Sequence, residues 1–214
     1  MTRVAPQAAL IVPVREAEPV VDELRQRYDA TAAIGVPAHI TLLYPFVSPN
    51  EIVEKDLRKL KAIAKQATAF EFWLSGVGRF TDTVYLQPSP SAPFISLIKA
   101  FVDAFPDYPP YGGLHTGSIP HLTVARESEP EALERIEDEV RLLMAKQRAI
   151  QCYCKNFALI VNTEGRWVTQ QRFSLVASEA NGQWRLVPFS SVMMMLVEQD
   201  KEVCASRTEK ALVN

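Results

Sequence analysis

His39 and His121 are the residues whose type and spacing point to chemistry. Each has a threonine two positions on, in His39-Ile40-Thr41 and His121-Leu122-Thr123, and each motif opens after a nearby proline, Pro37 or Pro120. The chain has three histidines, so two of the three share one H-x-T pattern. Alternation along a strand puts each histidine and its threonine on one face, with Ile40 and Leu42, or Leu122 and Val124, on the other. A lone strand histidine is most often structural, and threonine is an ordinary strand residue. The repetition carries the functional reading. Histidine's unperturbed pKa lies near neutrality, so one ring can be neutral while its partner is charged. Such a pair suits a reaction that takes a proton from one group and gives one to another. Fixed hydroxyls beside the rings suit charge that builds in the transition state.

The longer stretches His39-Ile40-Thr41-Leu42-Leu43-Tyr44-Pro45-Phe46 and Pro120-His121-Leu122-Thr123-Val124-Ala125-Arg126 resemble the 2H phosphoesterase superfamily. Within it they look most like the 2′-5′ RNA ligase-like branch, which includes the RNA 2′,3′-cyclic phosphodiesterases. The likeness covers roughly residues 8–178. It implies an α+β, bilobal fold: two pseudo-symmetric lobes of antiparallel sheet with outer helices, both H-x-T strands facing a central cleft. It implies metal-independent hydrolysis of a 2′,3′-cyclic phosphate, with His121 as base on water and His39 as acid on the leaving 3′-oxygen, leaving a 2′-phosphate. The expected partners are RNA ends or small nucleotides bearing a cyclic phosphate, with no cofactor. The alternatives are 2′-5′ RNA ligation, hydrolysis of a small cyclic nucleotide or 2′-5′ oligonucleotide, and an RNA-end binding module without turnover. Intact H-x-T motifs count against the last.

Arg126 and Tyr44 each lie five residues beyond their histidine. That offset turns both away from the histidine on a straight strand, so either reaches the cleft only where the strand ends or bulges. Arg126 is the candidate phosphate ligand. Tyr44 breaks the symmetry on the other side. Phe46, Tyr108 and Tyr111 are candidates for stacking on a base, with core or loop packing as the alternative. His115 is either a substrate contact or an exposed loop residue.

Composition sets limits. At 214 residues, 48% hydrophobic and 22% charged, the chain suits one domain: residues 1–189, with a tail at 190–214 that packs in part or stays loose. A formal net charge of −2 argues against a protein that coats nucleic acid through many phosphate contacts. No apolar run is long enough to span a membrane. Residues 1–14 lack a signal-peptide pattern. The expectation is a cytoplasmic monomer. Cys152, Cys154 and Cys204 read as free thiols rather than a metal site, since the C-x-C has no histidine near it.

The remaining elements follow from pattern. Residues 8–14 read as a buried strand and 16–28 as a helix whose basic end suits its dipole. Ser48-Pro49-Asn50-Glu51 reads as the start of a helix reaching about residue 67. Strands are expected at 70–74 and 84–86, with 76–82 between or at their ends. A helix at 94–105 and a Pro/Gly loop at 107–113 precede the second motif, and a helix at 128–145 follows it. Residues 150–162 and 167–178 read as strands about a Glu164-Gly165 turn. A short strand at 183–187 and an apolar segment at 193–197 complete the pattern.

Overall fold

The opening apolar run forms β1 (Gln7–Pro13), with five consecutive buried residues, and the first motif forms β2 (His39–Leu43). In this computed structural model, which describes residues 6–113 and 119–177, all the described residues fall in one unit, Met1–Ser178. His115, Cys204, the strand expected at 183–187, the apolar segment at 193–197 and the boundary at 189 lie outside the described residues. Between β1 and β2 lie α1 (Glu18–Tyr28) and the short α2 (Ala30–Ala33). Then follow α3 (Glu54–Gln66), β3 (Phe70–Arg79), β4 (Thr83–Ser89), α4 (Ala92–Ala104), β5 (Leu122–Arg126), α5 (Pro130–Gln147), β6 (Ile150–Cys154), β7 (Asn156–Asn162) and β8 (Trp167–Ser174).

The eight strands make one antiparallel sheet in the order β6-β3-β4-β5-β2-β1-β7-β8. The order has an internal two-fold: β2 matches β5, β1 matches β4, β7 matches β3 and β8 matches β6. The halves meet at the centre, where Ile40 pairs with Leu122. β6 and β7 lie six strand spacings apart, on the order of 29 Å in a flat sheet, yet only Lys155 separates them in sequence. The sheet must therefore curl until these strands converge at that end.

One sheet face carries the main core. Val21 and Leu24 of α1, Leu60 of α3, Phe101 of α4 and Ile136 of α5 pack with Leu10, Ile40, Leu42, Leu122 and Val124. Each such large side chain contributes on the order of 2 kcal/mol on burial. α1 packs on β5 and α4 on β2, so each half's helix covers the other half's motif strand. The opposite face is left to the cleft.

Three expectations need correction. Ser48 does not cap a helix: Glu51 N–H bonds the Ser48 carbonyl at 2.8 Å, closing a turn. α3 starts at Glu54, where the Asp56 carboxylate accepts the Val53 N–H at 3.1 Å. The run 150–162 is two strands serving opposite ends of the sheet; with no turn residue between them, its pattern reads as one. The strand expected at 70–74 is longer and takes in Gly76 and Gly78. β3 continues to Arg79, and Gly78 is required because a Cβ there would collide with the Tyr85 ring on β4. The Cys152 and Cys154 expectation stands: both are buried free thiols, and burial pushes each up to about 12.

Candidate active site

Both histidines are anchored in the same way. His39 Nδ1 lies 2.8 Å from the Pro37 carbonyl and His121 Nδ1 lies 2.7 Å from the Ile119 carbonyl. A carbonyl only accepts, so each Nδ1 carries a proton and donates it. Nε2 is then the nitrogen each ring has left for acid–base work. Each motif thus positions its own ring, through the residue two places earlier. Both rings, with Thr41 and Thr123, line one cleft of about 1060 Å³.

Two bulges finish the site. On β1 and β2, Ile11 pairs with Thr41 but Leu10 pairs with Leu43, so β2 carries one extra residue at Leu42. On β4 and β5, Tyr85 pairs with Thr123 but Val84 pairs with Ala125, so β5 carries one extra at Val124. A bulge of one residue reverses the alternation beyond it. Leu42 and Leu43 are accordingly both buried, as are Val124 and Ala125. Beyond the bulges, Tyr44 and Arg126 return to the histidine face, and both line the cleft. Thr83 and Tyr85 share a face of β4, and they pair with Arg126 and Thr123.

Arg126 Nη1 lies 3.4 Å from the Thr83 hydroxyl, and among the described residues no carboxylate forms an ion pair with it. It is the one permanent cation among the described residues that line the cleft. Tyr111 covers the other motif. Its N–H bonds the Tyr44 carbonyl at 2.6 Å, and its phenol is joined to Thr41 by a hydrogen bond. The turn that delivers it uses left-handed backbone at Tyr111 and Gly112, and burial raises the phenol's pKa.

Burial sets the electrostatics. Desolvation pushes the His39 pKa down to about 4, against the raising effect of its bond to Pro37; nearby Arg25 and His121 lower it further. His121 is also lowered, by desolvation first and by the Arg126 charge after the opposing bond to Ile119. Both shifts favour the neutral ring. An anion bound between them reverses that balance, because opposite charge favours the protonated ring.

Two stacking candidates are not at the site. Phe46 is 4% exposed and packs edge-on to Phe105 at 5.0 Å. Tyr108 packs against Phe46 at 6.0 Å. The Pro-Phe step carries Phe46 into the core, where its apolar surface is better satisfied. Other residues at the site had no clear mark in the sequence. Phe80 meets His121 edge-on at 5.1 Å, and Tyr85 lies 5.2 Å from it. Trp167 lines the cleft on the His39 side. Gly78, which pairs with Tyr85, was the signal that a large ring needs room there. Arg25, expected to serve a helix dipole, is 2% exposed. It bonds Asp29 at 2.9 Å and the Val36 carbonyl at 3.1 Å. That pair ties the end of α1 to the segment leading into His39.

Comparison with known proteins shows the family and the fold. A model of the "2'-5' RNA ligase superfamily" matches residues 12–166. A "Putative phosphoesterase" of Oceanobacillus iheyensis is 25% identical over 170 residues, covering 77% of this chain and 95% of its own. A protein of the same description from Bacillus cytotoxicus is 30% identical over 125 residues, covering 55% of this chain and 67% of its own. Among solved structures, TT0787 of Thermus thermophilus aligns with a TM-score of 0.53 at 18% identity, over 80% of this chain and 99% of that one. E. coli LigT complexed with 3'-AMP gives 0.51 at 16% identity, over 79% and 98%. These structural likenesses speak to fold. The family match takes in both H-x-T strands and both bulges, and the chain belongs to the 2′-5′ RNA ligase superfamily.

Proposed function

We propose that this chain hydrolyses 2′,3′-cyclic phosphates, on RNA ends or small nucleotides, to 2′-phosphates without a metal ion. The observation that carries the reading is the matched pair of histidines, each Nδ1 held by the carbonyl two residues back. The two Nε2 atoms then serve one cleft. Water attacks phosphorus while His121 Nε2 takes its proton. The bond from phosphorus to the 3′-oxygen breaks as His39 Nε2–H protonates that oxygen. The product is a 2′-phosphomonoester with a free 3′-hydroxyl, and the two rings exchange protonation states until solvent resets them. Thr41, Thr123 and Arg126 stabilise the non-bridging oxygens as charge grows there.

His39 needs a proton that its desolvation disfavours. The substrate's phosphate anion supplies the missing stabilisation, so the acid is charged chiefly when substrate is bound. The test is incubation with adenosine 2′,3′-cyclic monophosphate in EDTA, with the product read by phosphorus NMR. A 2′-phosphate is expected. A 3′-phosphate as sole product means the two roles, or the substrate's orientation, are reversed. Turnover that requires added zinc or magnesium removes the two-histidine reading.

A further inference from the structure

The two rings are anchored alike, but what stands behind each differs. His121 has the Phe80 and Tyr85 rings against it. Its anchor residue, Ile119, is 59% exposed. Among the described residues between α4 and β5, none takes part in an ion pair. Behind His39 lies a buried ion pair. Arg25 and Asp29 are each 2% exposed, on the last turn of α1 and at its C-cap. Arg25 donates Nε and Nη2 to Asp29 Oδ2 at 3.2 and 2.9 Å, and Nη2 also to the Val36 carbonyl at 3.1 Å. The other carboxylate oxygen, Oδ1, accepts from the Thr31 N–H at 3.1 Å and from the Thr31 hydroxyl at 2.7 Å.

Such a pair is a poor source of stability, because both charges give up their water to make it. Its bonds converge instead on the connector before His39. The Val36 N–H returns to the Thr31 carbonyl at 3.0 Å, so Asp29 holds one end of that turn and Arg25 the other. β8 holds its far side. The Trp167 N–H bonds the Ile34 carbonyl at 2.8 Å, and a Cβ on Gly35, whose φ is +94°, would lie 2.9 Å from the Trp167 carbonyl. Only glycine lets the connector come so close to β8. Val36 precedes Pro37, whose carbonyl anchors His39 Nδ1. The Pro37 ring fixes φ and the peptide unit is planar, so one soft torsion, ψ of Pro37, separates the two carbonyls. Holding the first nearly fixes the second.

We infer that the Arg25–Asp29 pair is a positioning device for His39: it fixes the Val36 carbonyl and, through Pro37, the ring and its Nδ1–H form. Both residues act through the connector rather than on the substrate. The inference rests on the proposed hydrolysis for its kinetic consequence only. It gives two similar rings different supports, polar behind His39 and aromatic behind His121. Loss of the pair should therefore disturb one ring and spare the other.

The test uses Arg25→Met combined with Asp29→Asn, which removes both charges together and strands neither in the core. The asparagine keeps an oxygen for the Thr31 N–H. Melting curves check folding. The first readout is the ring nitrogen-15 spectrum at pH 7, with the chain's three histidines assigned through His39→Gln and His121→Gln. Wild type should show the Nδ1–H form of both rings. The double variant should move His39 toward a mixture with the Nε2–H form and leave His121 unchanged. An unchanged His39, or an equal shift of both rings, overturns the positioning role. Should the double variant not fold, Arg25→Lys takes its place. Its ammonium keeps the ion pair but lacks the fork that reaches Asp29 and Val36 together, and the same outcomes decide. The second readout is kinetic. The kcat for adenosine 2′,3′-cyclic monophosphate should fall about ten- to a hundredfold, the scale for a misplaced catalytic group, with KM within about twofold of wild type. A loss confined to KM, or no loss, overturns the inference. Wild-type protein that does not turn over the cyclic phosphate counts against the hydrolysis, and the ring spectra still decide the positioning.

Discussion

Ile40 and Leu122 pair across the middle of the sheet, and this one rung brings the two motifs together. With Ile40 opposite Leu122, the antiparallel register sets His39 across from Thr123 and His121 across from Thr41. The four polar side chains therefore ring one spot on the cleft face. The pairing residues themselves are both fully buried, so the hydrophobic core holds the register of the two motifs.

Replacing either histidine by alanine should lower turnover of a 2′,3′-cyclic phosphate by at least about a hundredfold, the usual scale for a general acid or base. Thr41→Val and Thr123→Val should lose less, because each removes one donor from a shared site. Steady-state kinetics on folded variants decide. Near-normal turnover in either histidine variant would exclude the paired mechanism.

Arg126 reaches the cleft only because of the bulge at Val124. Arg126→Met should therefore lower kcat/KM by about ten- to a hundredfold, as for loss of an electrostatic contact to the reacting group. Steady-state kinetics on the folded variant decide, and near-normal kcat/KM would show that Arg126 makes no contact with the reacting group.

The pH dependence follows from the lowered pKa values. One histidine must be neutral and the other charged, so kcat/KM should be bell-shaped. It reports the free enzyme, in which His39 titrates at about 4 and His121 below its usual 6.5. Its maximum is expected below pH 6.5. The kcat maximum should lie at higher pH, because bound phosphate raises both rings. Profiles of the two constants with one substrate test this, and coincident maxima above pH 7 would contradict it.

Burial of a neutral His39 also makes folding acid-sensitive. The ring's folded pKa of about 4 lies below the ordinary 6.5. Its contribution to stability is complete above 6.5 and is lost as pH falls toward 4. The full shift corresponds to at most about 3 kcal/mol. Urea titrations at pH 7 and pH 4.5 should show a larger loss for wild type than for His39→Gln, by on the order of 2 kcal/mol. Equal losses would mean that the ring is solvated in the native state.

Gly78→Ala tests the support behind His121. The added methyl meets the Tyr85 ring, and Tyr85 packs on the imidazole. Overpacking should cost about 1–3 kcal/mol, and turnover should fall about tenfold or more as the ring moves. Gly78→Ala with unaltered kinetics would show that Tyr85 does not position His121.

Much of the site was legible before the fold, for local reasons. His39 with Thr41 and His121 with Thr123 could be assigned to common faces because alternation is a property of a few bonds. The anchors at Pro37 and Ile119 lie two residues from their rings, so each motif carries its own tautomer lock. The α+β class and most elements followed from periodicity for the same reason. Phe46, Arg126, Trp167 and the run 150–162 behaved otherwise. Whether Phe46 entered the core or the cleft depended on Phe105 and Tyr108, distant in sequence. Whether Arg126 faced the cleft depended on an extra residue in β5 that is visible only against β4. Trp167 became a wall of the cleft because β8 pairs beside β7 and Gly35 admits it. Each of these rests on long-range pairing and packing, which no short stretch of sequence carries on its own.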